Sequence, residues 1–322
     1  MALMNNAPPE RPASMKPPEQ PSSSASVIRK TEAAPVAGIL LLIGTTFLFT
    51  GLDTTAKYLS AELPTSQIVW MRFVSHVVLI APFFFLTEMG RGAWRSNRPG
   101  LQLLRSALMV TTTFLNFLAV RYLQLADAVA IFFVAPLIVA ALAGPLLNEW
   151  AGPRRWAAII VGFLGVLVIT RPGVGGLEWT ALFALAAATV FALYTISTRI
   201  LAGHDSTVTT FFYTPLIGLI GFAPFGIAVW ETPPDLFHWL LLFMTGIVGG
   251  LGHLLMILAY RRAPAPVLVP FMYIQLVWMT ASGILVFGDF PSSWTFIGAA
   301  IVVASGLYLW FREQQTARGE PS

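Results

Sequence analysis

The chain alternates between long apolar runs and short polar segments rich in turn-forming residues. A helix needs about 20 residues to cross the hydrocarbon core of a bilayer. Strands of a membrane β-barrel would instead alternate apolar and polar residues over about ten positions, which these runs do not. The pattern therefore predicts an all-α integral membrane protein with ten transmembrane helices, the fifth being short, at residues 36–60, 65–86, 100–121, 126–147, 156–170, 177–200, 206–230, 236–260, 265–288 and 293–311.

The composition agrees with a membrane protein and excludes several other classes. Of the 322 residues, 56% are hydrophobic and only 11% are charged, whereas about a quarter of a soluble domain is charged. The net charge of +4 is not concentrated on one segment, as it would be in a nucleic-acid-binding protein. The chain has no cysteine, which excludes disulfides, thiol catalysis and cysteine-ligated metals. We therefore expect membrane lipid and a small-molecule substrate as partners, and no nucleic acid.

Both ends of the chain differ from the apolar pattern. Residues 1–35 contain seven prolines, several serines and scattered charges, without the apolar core of a signal peptide. Such a segment buries too little apolar surface to offset the entropy of ordering it. We therefore expect a disordered tail over residues 1–35, and the polar residues 313–322 predict a second tail at the C-terminus.

The positions of Lys and Arg predict the orientation, because cytoplasmic loops of membrane proteins carry an excess of these residues. With the N-terminus in the cytoplasm, 14 of the 19 Lys and Arg fall on the inner side and three on the outer side. Arg72 and Arg105 remain inside predicted spans. The opposite orientation would reverse this bias. We therefore predict that both termini are cytoplasmic.

An internal repeat links the two halves of the chain. The segment LAVR at 118–121 recurs as LAYR at 258–261, a shift of 140 residues. Three further pairs recur in the same order at nearly the same separation: Glu149 with Asp289, Gly165 with Gly306, and Lys57 with Arg199. Each half would hold five spans, and an odd number forces the halves into opposite orientations. We therefore predict two inverted five-helix repeats, at residues 36–172 and 177–312.

Small residues and prolines predict where helices approach and where they bend. The glycines of GFLG (162–165) and GIVGGLG (246–252) allow close contact between membrane helices. Prolines inside spans remove a backbone hydrogen bond and favour bends. We expect such bends at Pro136, Pro145, Pro215, Pro224 and Pro270.

The chain resembles the EamA-type ten-helix transporters of the drug/metabolite transporter superfamily over roughly residues 36–312. The resemblance rests on the duplicated five-span plan and on LADAVAIFFVAPLIVAALAGPLLNEWAGPRRWAAIIVGFLGVLVI, which residues 265–309 repeat more loosely. Asp289 stands where a Glu is more usual in the family. Within the family, the chain is most similar to the bacterial aromatic amino-acid exporters. The resemblance implies export of amino acids across the bacterial inner membrane by alternating access, with no cofactor.

Other functions find less support in the sequence. The chain has no G-x-x-x-x-G-K-[ST] loop and no H-E-x-x-H, its four histidines are scattered, and we expect neither enzymatic activity nor a metal site. Ser75 and His76 are adjacent on a helix, so they do not face each other as a nucleophile and its base. A channel would require filter carbonyl motifs or charged rings, which are not evident. A sugar-phosphate or nucleotide-sugar carrier stays an alternative, although such a substrate would require two or more converging cations. The sequence leaves the oligomeric state open.

Polar residues in the middle of spans are the candidate substrate contacts. An Arg or His at this depth is costly unless it faces a polar cavity or a partner. Arg72 and His76 lie one turn apart on one face, where they could bind a substrate carboxylate or form a structural hydrogen bond. Gln275 and Trp278 could contact the remainder of the substrate, or simply pack. The same two interpretations apply to three residues in other spans: Asn116, Tyr194 and His253.

Asp53 and Lys57 stand four residues apart in GLDTTAKYLS, on one face of the first predicted helix. Since the apolar run ends at Leu52, we expect Asp53 at its outer margin and Lys57 one turn further out. They could form an interfacial ion pair or line the outer mouth of a cavity. Arg199, the repeat mate of Lys57, would then line the inner mouth.

Overall fold

A computed structural model describes residues 24–88, 92–148, 150, 152–172, 179–201, 203–263 and 265–317. Within these ranges, ten helical spans are long and apolar enough to cross a membrane, which confirms the predicted number. Three spans consist of two helical parts, which carry the letters a and b. In chain order the helices are α1 (Ser24–Leu59), α2 (Thr65–Leu86), α3 (Pro99–Tyr122), α4a (Leu125–Phe132), α4b (Ala135–Leu147), α5 (Pro153–Thr170), α6 (Ala181–Leu201), α7a (Thr207–Gly221), α7b (Ala223–Ala228), α8 (Leu236–Arg262), α9a (Ala265–Met272), α9b (Ile274–Ser282) and α10 (Ser293–Ala317), with a π-helical turn at Gly283–Phe287.

The ends of the bundle differ from the predicted tails. Helix α1 begins at Ser24, although its membrane-spanning part begins at Val36 as predicted. The segment from Ser24 to Ala34 contains no proline and no glycine, so nothing in it opposes a helix. Helix α10 likewise continues to Ala317, five residues past the predicted end of the second repeat. Residues 1–23 and 318–322 lie outside the described part of the chain.

Three of the five predicted proline bends coincide with helix breaks. Pro136 and Pro224 occupy the first turn of α4b and α7b, where the missing N–H has no partner to lose. Pro270 lies near the end of α9a, shortly before the break at Tyr273. Pro145 and Pro215 lie inside continuous helices, and bends at these two positions stay predictions.

Helix contacts come in pairs related by the inverted repeat, which exchanges α1 with α6, α2 with α7, and so on. Helix α1 packs against α8, and correspondingly α6 packs against α3. The contact of α2 with α8 has its counterpart in that of α7 with α3. Helices α5 and α10, which are each other's mates, pack together. The halves are therefore interleaved rather than separate bundles.

Two broken helices meet at the centre of this symmetry. Phe133 follows α4a and Tyr273 follows α9a, and the two residues are 140 positions apart, the shift of the repeat. Their rings are in edge-to-face contact, with centroids 4.9 Å apart. A pair of equivalent residues can touch only near the axis that relates them. The contact therefore marks the pseudo-two-fold axis.

Glycine permits the closest helix crossing next to the predicted site. A Cβ on Gly246 of α8 would lie 2.4 Å from the carbonyl oxygen of Arg72 and 2.5 Å from the backbone nitrogen of His76. No other residue type fits at such a separation, because real Cβ contacts are much longer. The predicted role of this glycine segment in helix packing is therefore confirmed, and it holds α8 against the part of α2 that carries Arg72 and His76.

Orientation in the membrane can be tested directly, because the chain has no cysteine of its own. We call the side on which α1 begins the inner side and the opposite side the outer side. Arg95 lies on the inner side and Thr232 on the outer side, and both are exposed. We expect a membrane-impermeant maleimide to label T232C in intact cells, and R95C only after permeabilisation. Labelling of R95C alone in intact cells would reverse the predicted orientation.

Candidate functional site

The polar centre of the molecule lies where α1, α2, α3 and α8 meet. Asp53 of α1 accepts a hydrogen bond of 2.9 Å from Asn116 Nδ2 of α3. Arg72 of α2 donates from Nη1 to Thr113 Oγ1, also on α3. Thr113 and Asn116 are three residues apart and share one face of that helix. We call the following residues the central cluster: Asp53, Arg72, His76, Thr113, Asn116 and His253.

Asp53 and Arg72 bring opposite charges into the interior without pairing directly. Asp53 is 7% exposed and Arg72 is 4% exposed. Each acts electrostatically on the other, yet the side chains that hydrogen-bond to them among the described residues are neutral. Arg72 Nε is buried and has no hydrogen-bond partner within the described chain. Since buried charges are normally paired, both groups retain the capacity to bind an oppositely charged ligand group.

The two predicted histidines lie in the same region. His76 is buried one turn after Arg72, with its ring edge-to-face against Phe211 of α7 at 5.6 Å. Its Nε2 atom is buried and has no hydrogen-bond partner among the described residues. His253 of α8 is half-buried against Phe49, with ring centroids 5.1 Å apart, and lies within electrostatic range of Arg72 and His76. The structure therefore brings both histidines to the centre.

Tyr194 takes part through Arg105, a residue to which the sequence analysis gave no role. Arg105 Nη2 donates to Tyr194 OH at 2.7 Å, and its guanidinium lies 4.6 Å from the centroid of that ring. Its Nε and Nη1 donate to Thr198 at 2.8 Å and Thr214 at 2.6 Å. Arg105 thereby joins α3 of the first half to α6 and α7 of the second. The one signal in the sequence was a second arginine inside a span.

The ion pair considered for Asp53 and Lys57 is not formed. Lys57 Nζ donates to the carbonyl oxygen of Leu123 at 2.6 Å and lies 3.4 Å from Asp289 Oδ2. Leu123 caps the C-terminus of α3, where the carbonyls carry partial negative charge, and the long stem of Lys57 reaches it. The spacing of four residues placed both side chains on one face, but could not show that Asn116 would bind Asp53.

Asp53 also lies deeper than predicted. The apolar run ends at Leu52, but α1 continues to Leu59, and Ala56 is buried. Asp53 is therefore about 9 Å inside the helix end, in the central cluster rather than at the mouth. Arg199 occupies the position in α6 that Lys57 has in α1, two residues before the helix end, and is exposed. Its role at the inner mouth stays a prediction.

Gln275 and Trp278 lie on α9b, away from the contacts of the central cluster. Trp278 packs edge-to-face against Phe47 of α1, with ring centroids 5.7 Å apart, and its buried Nε1 has no hydrogen-bond partner among the described residues. Gln275 is half-buried. No hydrogen bond in the described structure joins either side chain to Asp53 or Arg72. Substrate contact by Gln275 and Trp278 stays a prediction.

A polar network joins the two halves on the inner side. Asp205, between α6 and α7, accepts hydrogen bonds from Ser96 Oγ, from the backbone amide of Asn97 at 2.7 Å and from Gln102 Nε2 at 2.9 Å. Slight burial raises the pKa of Asp205, but these hydrogen bonds outweigh it and hold the pKa below its usual value. The network would therefore weaken only as the pH falls through that lowered pKa. The backbone carbonyl oxygen of His204 accepts a further hydrogen bond from Asn97 Nδ2. We call these five residues the inner latch.

The repeat places a chemically different network on the outer side. Gln67 exchanges two hydrogen bonds with the backbone of Glu231, at 2.7 and 2.8 Å. His238 Nδ1 lies 2.8 Å from Asp235, and its Nε2 lies 3.4 Å from Glu62. We call these five residues the outer latch. The inner latch joins the segment between α2 and α3 to the segment between α6 and α7. The repeat relates these two connectors to the α7–α8 and α1–α2 connectors, which take part in the outer latch.

The acidic residues do not form a metal site in the described part of the chain. No three His, Asp or Glu side chains converge there as ligands of one ion would. Glu149, the repeat mate of Asp289, lies outside the described residues.

Comparison with known proteins places this geometry in a family. The model of the EamA-like transporter family matches residues 36–171 and 178–311. A riboflavin transporter of Vibrio cholerae is 29% identical over 89% of this chain and 97% of its own length. An S-adenosylmethionine uptake transporter of Rickettsia bellii is 27% identical, over 82% and 89%. The pseudopaline exporter CntI of Pseudomonas aeruginosa is 25% identical, over 85% and 95%.

A solved crystal structure supports the fold independently. It is 18% identical to this chain and superposes with a TM-score of 0.57, covering 84% of this chain and 95% of its own. The two family matches coincide with the two five-helix halves, and the similar proteins carry the names of transporters rather than enzymes. The chain is thus a multi-pass transporter of small metabolites that belongs to the EamA-like transporter family of the drug/metabolite transporter superfamily.

Proposed function

We propose that the chain transports amino-acid-type zwitterions across the bacterial inner membrane by alternating access, and that it exports them. The observation that carries the proposal is the pair of opposite buried charges, Asp53 and Arg72, each held by a neutral partner on one face of α3. Because the two groups do not pair directly, a zwitterion could form an ion pair with each of them in one molecule. Export is the expected direction for metabolites made in the cytoplasm.

The spacing of the two charges suits the head group of an amino acid. Thr113 and Asn116 hold Arg72 and Asp53, and they are separated by about 4.5 Å along the helix axis. We assign Arg72 to the substrate carboxylate, which a guanidinium can bind with two hydrogen bonds, and Asp53 to the ammonium. His76 would donate a further hydrogen bond from its unpartnered Nε2.

Aromatic neighbours favour an apolar or aromatic substituent on the substrate. Phe49 and Phe211 pack on the two histidines of the central cluster. The guanidinium of Arg72 also lies 5.9 Å from the ring centroid of Phe117. Apolar and aromatic groups gain free energy by leaving water for such surfaces. The names of similar proteins support a broad range of metabolites: S-adenosylmethionine carries an amino-acid group, whereas riboflavin does not.

The arrangement of the halves supports alternating access. The inner and outer latches join pairs of connectors that are related by the repeat and lie at opposite ends of the molecule, and the central cluster lies between them. Rocking one half against the other would open one latch while the other holds. The substrate would then reach Asp53 and Arg72 from one side at a time.

Uptake by proteoliposomes tests the proposal. We expect purified protein to transport neutral amino acids with saturable kinetics, and expect unlabelled substrate on the opposite side to accelerate uptake by counterflow. Sugar phosphates and nucleotide sugars, supplied at the same concentration, should give little flux. If the protein transported sugar phosphates or nucleotide sugars but not amino acids, the proposed substrate class would be wrong. Non-saturable flux at rates of an open pore would instead indicate a channel.

A further inference from the structure

Arg105 is a buried cation without an acidic partner in the described chain. It is 5% exposed, and its hydrogen-bond partners are the hydroxyls of Tyr194, Thr198 and Thr214, together with the carbonyl oxygen of Thr210 at 3.5 Å. No Asp or Glu of the described residues forms an ion pair with it. An unpaired charge inside a membrane bundle is unfavourable unless it serves a pathway or binds a counter-ion.

The charges around the centre therefore do not balance. Arg72 interacts with Asp53, but Arg105 has no equivalent acid. Asp205 of the inner latch lies on the same side of the molecule, but its donors are Ser96, Asn97 and Gln102. A zwitterion bound by Asp53 and Arg72 would leave the charge of Arg105 uncompensated. A ligand with one further negative group would neutralise it.

Arg105 also lies on the route between the central cluster and the inner side. Arg105, Thr113 and Asn116 fall on the same face of α3 at helical spacing. Arg105 stands about 12 Å to the inner side of Thr113, since eight helical residues separate them. Tyr194 acts electrostatically on Arg72 while binding Arg105 directly, and His253 lies within electrostatic range of both arginines. The two guanidinium groups therefore belong to one polar region.

We propose that Arg105, with Tyr194, Thr198 and Thr214, forms a second anion-binding subsite, which takes a carboxylate or phosphate on the side chain of an amino-acid substrate. The inference rests on the proposed function and extends its substrate class from neutral zwitterions to zwitterions with an additional negative group. The hydroxyls hold the guanidinium in place while the subsite is empty. An arriving anion accepts hydrogen bonds from Arg105 in their place, as guanidinium binds carboxylate and phosphate in the same planar geometry.

The subsite can be tested with pairs of substrates that differ in one negative group and with a variant that removes the charge of Arg105. Counterflow in proteoliposomes would compare glutamate with glutamine, phosphoserine with serine, and 2-aminoadipate as a longer diacid. For Arg105→Gln we expect the KM of the three anionic substrates to rise roughly tenfold or more, the usual effect of losing one charge-assisted hydrogen bond. The KM of glutamine and serine should rise less, so that the ratio of KM between each anionic substrate and its neutral analogue increases by that factor. Phosphoserine and the diacids distinguish phosphate from carboxylate as the preferred group.

Arg105→Lys is the control for a structural role, because it keeps the charge. It should keep part of the preference for glutamate over glutamine, because lysine retains the charge but not the planar geometry of a guanidinium. This variant decides the question if Arg105→Gln does not fold. A preference that is lost in a folded Arg105→Lys, or an equal rise in KM for all substrates in Arg105→Gln, would overturn the subsite. Wild-type protein that transports no amino acid at all would instead overturn the proposed function, and the subsite with it.

Discussion

Asp53→Asn should raise the KM for neutral amino acids by at least about tenfold while leaving the fold intact. Asparagine keeps the oxygen that accepts the hydrogen bond from Asn116, so the change removes the charge and little else. A charge-assisted hydrogen bond to a substrate ammonium contributes about 1.5–3 kcal/mol, and each 1.4 kcal/mol is a factor of about ten. Initial rates of proteoliposome uptake across a range of concentrations give the measurement.

Asp289→Asn is the matched control, since it removes a carboxylate that pairs with Lys57 outside the central cluster. We expect its KM to stay near wild type. N-acetyl amino acids add a second control, because they lack the ammonium that Asp53 would bind. Wild type should discriminate against them, and Asp53→Asn should discriminate less. Normal transport by Asp53→Asn together with a loss of transport in Asp289→Asn would contradict the central site and indicate substrate binding at the outer end of the bundle.

Gly246→Ala should cause the second large effect, a loss of stability together with a loss of transport. The added Cβ would lie 2.1 Å from Ser75 Oγ and 2.4 Å from the carbonyl oxygen of Arg72. Because backbone cannot rotate away as a side chain can, α2 and α8 must separate. Overpacking of this kind costs about 1–3 kcal/mol. The midpoint of thermal unfolding in detergent should fall, and uptake should decrease as Arg72 moves with α2.

Gly51 offers a control on a helix of the same bundle. A Cβ there would meet no atom within 4 Å, so Gly51→Ala introduces no clash. Alanine is also the better helix former, by up to about 1 kcal/mol in water. We expect Gly51→Ala to match or slightly exceed the thermal stability of wild type. Equal stability of the two variants would show that the α2–α8 crossing is less close than the structure indicates.

The transmembrane spans were predictable because residues that are adjacent in sequence determine them. The length of an apolar run and the turn residues that bound it lie next to each other in sequence, so the ten helices could be counted without knowing their contacts. The repeat was predictable for a similar reason, since equivalent residues such as Lys57 and Arg199 keep nearly constant spacing. The same reasoning identified Arg72 and His76 as deep polar residues, and both are buried.

The pairing of polar residues was not predictable, because it depends on helices that are distant in sequence. Asp53 and Asn116 are 63 positions apart, and Arg105 reaches partners 89 to 109 positions away. Lys57 and Asp289 likewise belong to different halves. Spacing along the chain was the one available criterion for pairing. It suggested an ion pair between Asp53 and Lys57, which does not form. Local spacing also gave no partner to Arg105, to which the sequence analysis therefore assigned no role.

The chemical difference between the two latches has a kinetic consequence. The inner latch consists of neutral donors around one carboxylate, whereas the outer latch combines backbone hydrogen bonds with a histidine between two acids. Under the proposed alternating access, closing the two faces would release different free energies, and the resting carrier would not be divided equally between its two orientations. For a carrier without a coupled ion, detailed balance requires the same Vmax/KM in both directions. The face that saturates at the lower substrate concentration must then also have the slower maximal flux.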